Sequence, residues 1–168
     1  KIAQMVDGLT KMSGVFKTET SEQAENFRKV LLTLSDDVRV ILIKIADRLH
    51  NMRTLGSMPP HKQMKITSET IYLFAPLAHR LGLYAIKSEL EDLTLKYRFP
   101  EEYRQIEQKI HETEPDRVRF IEKFNAPLIE VLKANRIDFE ISGRVKSVYS
   151  IWSKMQRKQI PFEEVYDL

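Results

Sequence analysis

The chain has 168 residues, of which 42% are hydrophobic and 30% are charged, a composition that suffices for a packed core and argues against disorder. Its formal net charge of +3 is too small to indicate nucleic-acid binding by itself, and the absence of cysteine excludes disulfides and thiolate metal sites. The absence of cysteine also fits a cytoplasmic protein, which is our expectation, and the sequence shows no apolar run of membrane-spanning length and no signal peptide.

Most of the chain has the apolar periodicity of helices, interrupted by glycine, proline and polar residues. We predict helices over 1–16, 21–34, 35–55, 65–80, 84–99, 116–134 and 147–157, with a further helix beginning at Pro100. Pro76 and Pro127 should kink the helices that contain them, because proline lacks the N–H and its ring crowds the carbonyl four residues back. Gly82 is expected to end the helix over 65–80.

The helix over 35–55 combines a buried stripe with a polar face. Ser35 is a suitable N-cap for it. The predicted stripe recurs at three- and four-residue steps and consists of Val38, Ile41, Leu42, Ile45, Leu49 and Met52. Asp47, Asn51 and Thr54 are four and three residues apart, so they share a different face. That face could hold a metal ion and bind a sugar or phosphate, or it could be an ordinary solvated face, since one carboxylate binds a hard cation weakly.

The character of the sequence changes at Asn135. Residues 138–142 alternate between polar and apolar, the period of a half-buried strand, and a second strand is expected to begin within 165–168. The segment between them carries cations and a hydroxyl at a strand end and on one helix face: Arg144, Lys146, Ser150 and Lys154. Such groups beside a helix N-terminus suit a polyphosphate, although an exposed basic helix face would have the same spacing.

Four segments of the chain resemble, in the same order, the RelA/SpoT homologues, bifunctional enzymes that make and degrade (p)ppGpp. They are D-G-L-T-K-M, I-A-D-R-L-H-N-M-R-T-L, Y-L-F-A-P-L-A-H-R-L-G-L and G-R-V-K-S-V-Y-S-I-W-S-K-M. The resemblance implies a mainly α fold in three parts. These are the C-terminal part of an HD-type hydrolase domain over 1–99, a helical bridge over 100–134, and a short truncated α/β unit over 135–168. The last would open a nucleotidyltransferase-like (p)ppGpp synthetase domain.

For the hydrolase, the resemblance implies that Asp47 is a ligand of Mn²⁺ and that Asn51 and Thr54 contact the nucleotide. The family's other metal ligands, an earlier His, a His-Asp pair and an acidic pair, would lie before Lys1. Because the chain begins with Lys rather than Met, we expect it to be a piece of a longer protein.

For the synthetase, the resemblance implies that ATP is bound by Arg144, Lys146, Ser150 and Lys154. Asp167 would carry Mg²⁺, which is sound chemistry for a carboxylate that faces phosphates. A second acidic residue, an aromatic that stacks on the guanine and most of the sheet would lie after Leu168. With both sites incomplete, we expect this chain alone to be inactive.

The resemblance therefore predicts a stringent-response parent protein with two activities. As a GTP pyrophosphokinase it would transfer pyrophosphate from ATP to the 3′-hydroxyl of GTP or GDP, and as a hydrolase it would remove the 3′-pyrophosphate. Its ligands would be ppGpp, pppGpp, GDP, GTP and ATP. We expect no association with a membrane. Contacts of the parent protein with the ribosome or other regulators are left open. Two alternatives remain: a hydrolase-only HD phosphohydrolase, which would not need G-R-V-K, and a non-catalytic regulatory or interaction module.

Overall fold

The structure, a computed structural model, describes residues 5–6, 10 and 38–165. The predicted helices over 1–16 and 21–34 fall almost entirely outside these residues, and so do Ser35 and Asp167. The described part of the chain consists of helices and their connections and contains no strand, which confirms the mainly α prediction. Among its helices, none combines the length and apolarity that crossing a bilayer requires.

The chain divides into two compact units, Lys1–Arg98 and Phe99–Leu168. The described helices of the first unit are α1 (Val38–Arg53), α2 (Pro60–Glu69), α3 (Ala75–Arg80) and α4 (Tyr84–Arg98). Those of the second unit are α5 (Pro100–Glu112), α6 (Glu114–Ala134) and α7 (Val148–Lys158). The predicted bridge over 100–134 and the segment over 135–168 both lie in the second unit, and their assignment to different domains stays a prediction.

The apolar stripe of α1 forms the centre of the first unit's core. The buried cluster around it consists of Val40, Ile41, Ile45, Leu49, Met52, Leu55, Phe74, Leu77, Ala78 and Leu90. The predicted burial of Val38 and Leu42 is wrong, because these side chains are 45% and 41% exposed, whereas Val40 is buried. Val40 and Leu42 lie about 100° to either side of Ile41, and neighbouring residues cover Val40 but not Leu42.

The predicted helix over 65–80 begins earlier, at Pro60, and contains a π-helical turn. Pro60 occupies the first turn of α2, where a missing N–H leaves no hydrogen bond unmade. The π turn covers Thr70–Phe74 and lies directly before α3, in which Pro76 is near the first position. Proline cannot continue the α-helical hydrogen-bond pattern, and the pattern is irregular directly before Pro76, while the predicted kink stays a prediction.

Gly82 ends α3, as predicted. Its φ of +73° is the left-handed conformation that glycine adopts without strain. The Gly82 N–H donates to the carbonyl of His79 at 3.0 Å, and the Leu83 N–H donates to the carbonyl of Ala78 at 2.9 Å. These two bonds are the Schellman motif, which satisfies the last carbonyls of the helix and lets α4 begin at Tyr84.

The second unit is built on the packing of α5 against α7. Its buried residues are Ile106, Val148, Ile151, Phe162 and Val165. Pro100 opens α5 as predicted, and Pro127 lies inside α6, which continues to Ala134. By contrast, α6 has no buried residue, and six of its large apolar side chains are exposed: Val118, Phe120, Ile121, Phe124, Leu128 and Val131.

The predicted strand over 138–142 is not formed, and residues 137–147 are neither helix nor strand. A strand is held by backbone hydrogen bonds to a neighbour, and no residue in the described part of the chain offers such a bond to 138–146. The apolar side chains Ile137, Phe139 and Ile141 are exposed, so the alternating pattern has no surface to bury against. Of the second predicted strand, Val165 lies in a turn and the remainder falls outside the described residues.

Candidate functional site

The first candidate site is the polar face of α1. Asp47 and Asn51 lie on α1 and Thr54 directly follows it; all three are exposed and lie on a different side of the helix from Ile41, Ile45 and Met52. The Thr54 hydroxyl donates to the carbonyl of His50 at 3.1 Å, within the last turn of the helix. The hydroxyl proton is therefore already hydrogen-bonded to the backbone, so the oxygen can only accept a hydrogen bond from a ligand. The structure thus places the three residues on one accessible face, as their spacing predicts.

A metal ion needs more ligands than this face supplies. Within residues 38–165 and the few described residues before them, no three His, Cys, Asp or Glu side chains come close enough to hold a metal. Hard cations require several oxygen ligands, so one carboxylate does not form a site. Asp47 is therefore one candidate ligand, and the described residues by themselves do not fit a complete Mn²⁺ centre.

A partly buried ion pair fixes one edge of α1. The guanidinium of Arg48 donates to Glu69 Oε2 at 2.8 Å, and the two side chains are 13% and 25% exposed. The same guanidinium lies 4.4 Å from the centre of the Phe74 ring, a cation–π distance. This contact could not be predicted from the sequence, because Glu69 is 21 residues away and no local spacing connects it to Arg48.

A second ion pair of α1 is exposed. Arg53 donates from Nε to Glu89 Oε1 at 2.6 Å and from a terminal nitrogen to Oε2 at 2.9 Å. The hydrogen bonds from Arg53 lower the pKa of the Glu89 carboxyl. Because the two side chains are 57% and 39% exposed, solvent screens this pair and it contributes little to stability.

Glu91 is a buried carboxylate on α4. Lys87 Nζ lies 2.7 Å from its Oε2 and forms an ion pair with it. Burial raises the pKa of the Glu91 carboxyl, and Lys87 offsets part of this increase. Its ionisation therefore weakens the folded state rather than strengthening it.

We expect Glu91→Gln to stabilise the chain at pH 7 relative to the parent sequence, and to do so less at pH 4. A carboxyl whose pKa is raised by folding favours the folded state below its ordinary pKa and loses that contribution as pH rises through the folded value. Thermal unfolding at both pH values measures the difference. The exposed Glu102→Gln on α5 is the control, and an equal effect of Glu91→Gln at both pH values would contradict the expectation.

The second candidate site lies around the start of α7. Ser147 is the N-cap, and its hydroxyl oxygen accepts from the N–H of Ser150 at 3.2 Å. The two hydroxyl oxygens are 2.9 Å apart. One turn later, Lys154 Nζ donates to the carbonyl of Val165 at 3.2 Å. Because Ser150 and Lys154 are four residues apart in α7, they share a face of the helix, as predicted. The ammonium of Lys154 is hydrogen-bonded to the segment that follows α7.

Arg144 and Lys146 are exposed on the segment before α7 and line a cavity of about 390 Å³ within the second unit. Phe120 and Phe124 of α6 also line it. Ser150 and Lys154 are not among its lining residues, so the structure does not bring the four predicted ATP-binding residues into one pocket. That Phe120 lines a cavity could not be predicted from the sequence, because an aromatic residue on a helix carries no local signal for a pocket.

The helical fold and the family comparison define the class of this protein. A family model described as an HD domain matches residues 1–84, half of the 168-residue chain, and includes the polar face of α1. The chain belongs to the HD domain family.

Curated relatives define the kind of HD protein more closely. The chain is 46% identical over 168 residues to a probable guanosine-3′,5′-bis(diphosphate) 3′-pyrophosphohydrolase of Synechocystis sp., covering 99% of this chain and 22% of that protein. It is 41% identical over 172 residues to a GTP pyrophosphokinase of Myxococcus xanthus, covering 100% of this chain and 23% of that protein. It is also 41% identical over 168 residues to the bifunctional (p)ppGpp synthase/hydrolase SpoT of Escherichia coli K12, covering 99% of this chain and 24% of that protein.

These similarities confirm the resemblance to RelA/SpoT homologues, and they extend across both compact units of the chain. The chain spans less than a quarter of the length of each of these three relatives.

Proposed function

We propose that the full-length protein containing this chain is a bifunctional stringent-response enzyme that synthesises and hydrolyses (p)ppGpp. The observation that carries the proposal is the 41% identity to a bifunctional synthase/hydrolase, which extends from the HD domain through the segment around α7. A hydrolase-only protein would have no need for the G-R-V-K segment.

In the proposed hydrolase site, Asp47 is one ligand of a Mn²⁺ ion. Its neighbours on α1 bind the nucleotide: the amide of Asn51 can donate and accept hydrogen bonds, and the Thr54 oxygen can accept one. The exposure of this face supports the assignment, since a substrate reaches it without displacing the core. The remaining ligands belong to parts of the protein outside the described residues.

In the proposed synthetase site, the cations Arg144 and Lys146 neutralise phosphate oxygens of ATP, and Ser150 and Lys154 bind them from the first turns of α7. A helix N-terminus favours the same negative charge, which supports this placement. Asp167 is proposed to carry Mg²⁺. Since Lys154 contacts Val165 in this structure, the proposed site requires its ammonium to bind phosphate beside or in place of that carbonyl.

Two assays of the full-length protein test the proposal. One measures pyrophosphate release from ppGpp with Mn²⁺, and the other measures transfer from ATP to GDP or GTP with Mg²⁺. Both activities are expected. Hydrolysis alone would support the hydrolase-only alternative, and no turnover in either assay would support a non-catalytic module. We further propose the cytoplasm as the location, with guanine nucleotides and ATP as ligands.

The isolated chain is expected neither to make nor to degrade (p)ppGpp, because its described residues supply one candidate ligand of the hydrolase metal and scattered groups of the donor site. Pyrophosphate release from ppGpp is measured with the purified chain, with Mn²⁺ and with a chelator. Release that depends on Mn²⁺ would show that the chain contains a complete site.

A further inference from the structure

Arg48 follows Asp47 in the sequence, yet the two side chains point to different sides of α1, about 100° apart. Asp47 is exposed, whereas the Arg48 side chain is 13% exposed and is held between Glu69 and the ring of Phe74. Phe74 itself is buried. Arg48 thus connects α1, which carries the proposed metal ligand, to the end of α2 and to the π turn.

The π turn explains why both partners reach the same guanidinium. Glu69 is the last residue of α2, and Phe74 is the last residue of the π turn, five residues later. In an α-helix, residues five apart are rotated by about 140° and cannot face the same group. In a π turn the hydrogen bonds join residues five apart, which brings such residues closer to the same side of the helix. The turn thereby aligns a carboxylate and an aromatic ring on one cation.

Arg48 and Arg53 lie about 140° apart around α1 and pair with different elements, Glu69 at the end of α2 and Glu89 on α4. The two arginines therefore restrain rotation of the helix at two places, one through Glu69 and one through Glu89. The restraints are unequal, because the Arg48 pair is largely withdrawn from water and the Arg53 pair is exposed. The Arg48 contacts are thus the stronger of the two restraints.

We propose that Arg48, held by Glu69 and Phe74, is a positioning residue of the hydrolase: it fixes the rotation of α1 and thereby the direction of Asp47 and Asn51. The inference rests on the proposed function, in which that face binds the metal and the nucleotide. A site of this kind tolerates displacements of only about 0.5 Å or 10–20° before its activity falls. A small rotation of α1 is sufficient to produce such a displacement.

Arg48→Met in the full-length protein tests the inference, since Met preserves the unbranched apolar stem and removes the cation. We expect hydrolysis to fall at least tenfold and the Mn²⁺ concentration for half-maximal activity to rise, with synthesis within twofold of normal. Glu69→Gln should have the same direction of effect, and it serves as the second variant if Arg48→Met does not fold. Arg48→Lys should recover part of the activity, because it restores the charge without the planar group that pairs with Glu69 and stacks on Phe74.

Two controls separate positioning from general destabilisation. Arg53→Met removes the exposed pair of α1 and should change hydrolysis less than twofold. Ile45→Val loosens the core beneath the same helix and should lower the melting temperature without changing the Mn²⁺ dependence. If Arg48→Met alters hydrolysis only as much as Ile45→Val does at equal loss of melting temperature, Arg48 is merely structural and the inference is overturned.

Asp47→Ala, assayed in parallel, separates this inference from the proposed function. Normal hydrolysis by Arg48→Met and Glu69→Gln, together with an inactive Asp47→Ala, would overturn the positioning inference and leave the proposed function standing. Full hydrolysis by Asp47→Ala, or none by the unaltered protein, would overturn the proposed site and the inference with it.

Discussion

Asp47→Ala in the full-length protein is expected to abolish (p)ppGpp hydrolysis and to leave synthesis at its normal rate. The substitution deletes a charged ligand that, in the proposed site, binds the metal directly. Loss of groups that only support metal ligands costs about ten- to a hundredfold in affinity or activity, so loss of a ligand should exceed about a hundredfold. The side chain is exposed and lies away from the core, and alanine is a good helix former, so the fold should be retained.

Parallel assays of ppGpp hydrolysis and of transfer from ATP to GDP measure this result, and circular dichroism verifies that the variant is folded. Asp47→Asn preserves the shape while removing the charge and should behave like the alanine variant. Glu102→Ala, at an exposed carboxylate of α5, should leave both activities unchanged. Hydrolysis near the normal rate in Asp47→Ala would mean that Asp47 belongs to an ordinary solvated face.

Lys154→Ala is expected to cripple synthesis and leave hydrolysis intact. In the proposed donor site, Lys154 binds phosphates one helical turn after Ser150, near the N-terminus of α7. A hydrogen bond to a charged group contributes about 1.5–3 kcal/mol, which corresponds to roughly ten- to over a hundredfold in affinity or rate. Hydrolysis should be spared because Asp47, Asn51 and Thr54 lie in the other compact unit.

Initial rates of transfer from ATP, measured over a range of ATP concentrations, determine the size of the effect. Lys158→Ala is a matched control, since it removes an exposed lysine one turn further from the N-terminus of the same helix. A mild effect of Lys154→Ala alone would indicate that Arg144 and Lys146 compensate, so the triple alanine variant is measured as well. Normal synthesis by that triple variant would contradict the assignment of this segment to ATP.

Features that depend on near neighbours in the chain could be predicted without a structure. Residues three and four apart share a helix face, so the buried stripe of α1 and its polar face could be predicted. Gly82 and Pro100 mark helix ends because their backbone preferences act locally. The family resemblance depends on contiguous segments, and the comparisons confirm it.

Features that depend on residues distant in the chain follow from how the helices pack, and they could not be predicted from local patterns. Arg48 and Glu69 are 21 residues apart, and Arg53 and Glu89 are 36 apart, so their pairing follows from how α1 packs and not from any local pattern. The alternating segment 138–142 has the sequence of a strand but not its structure, because a strand exists only beside a hydrogen-bonded neighbour and none is present in the described part of the chain. Likewise, periodicity predicts which residues of a helix share a face, whereas the packing of the other elements decides whether that face is buried, as in α1, or exposed, as in α6.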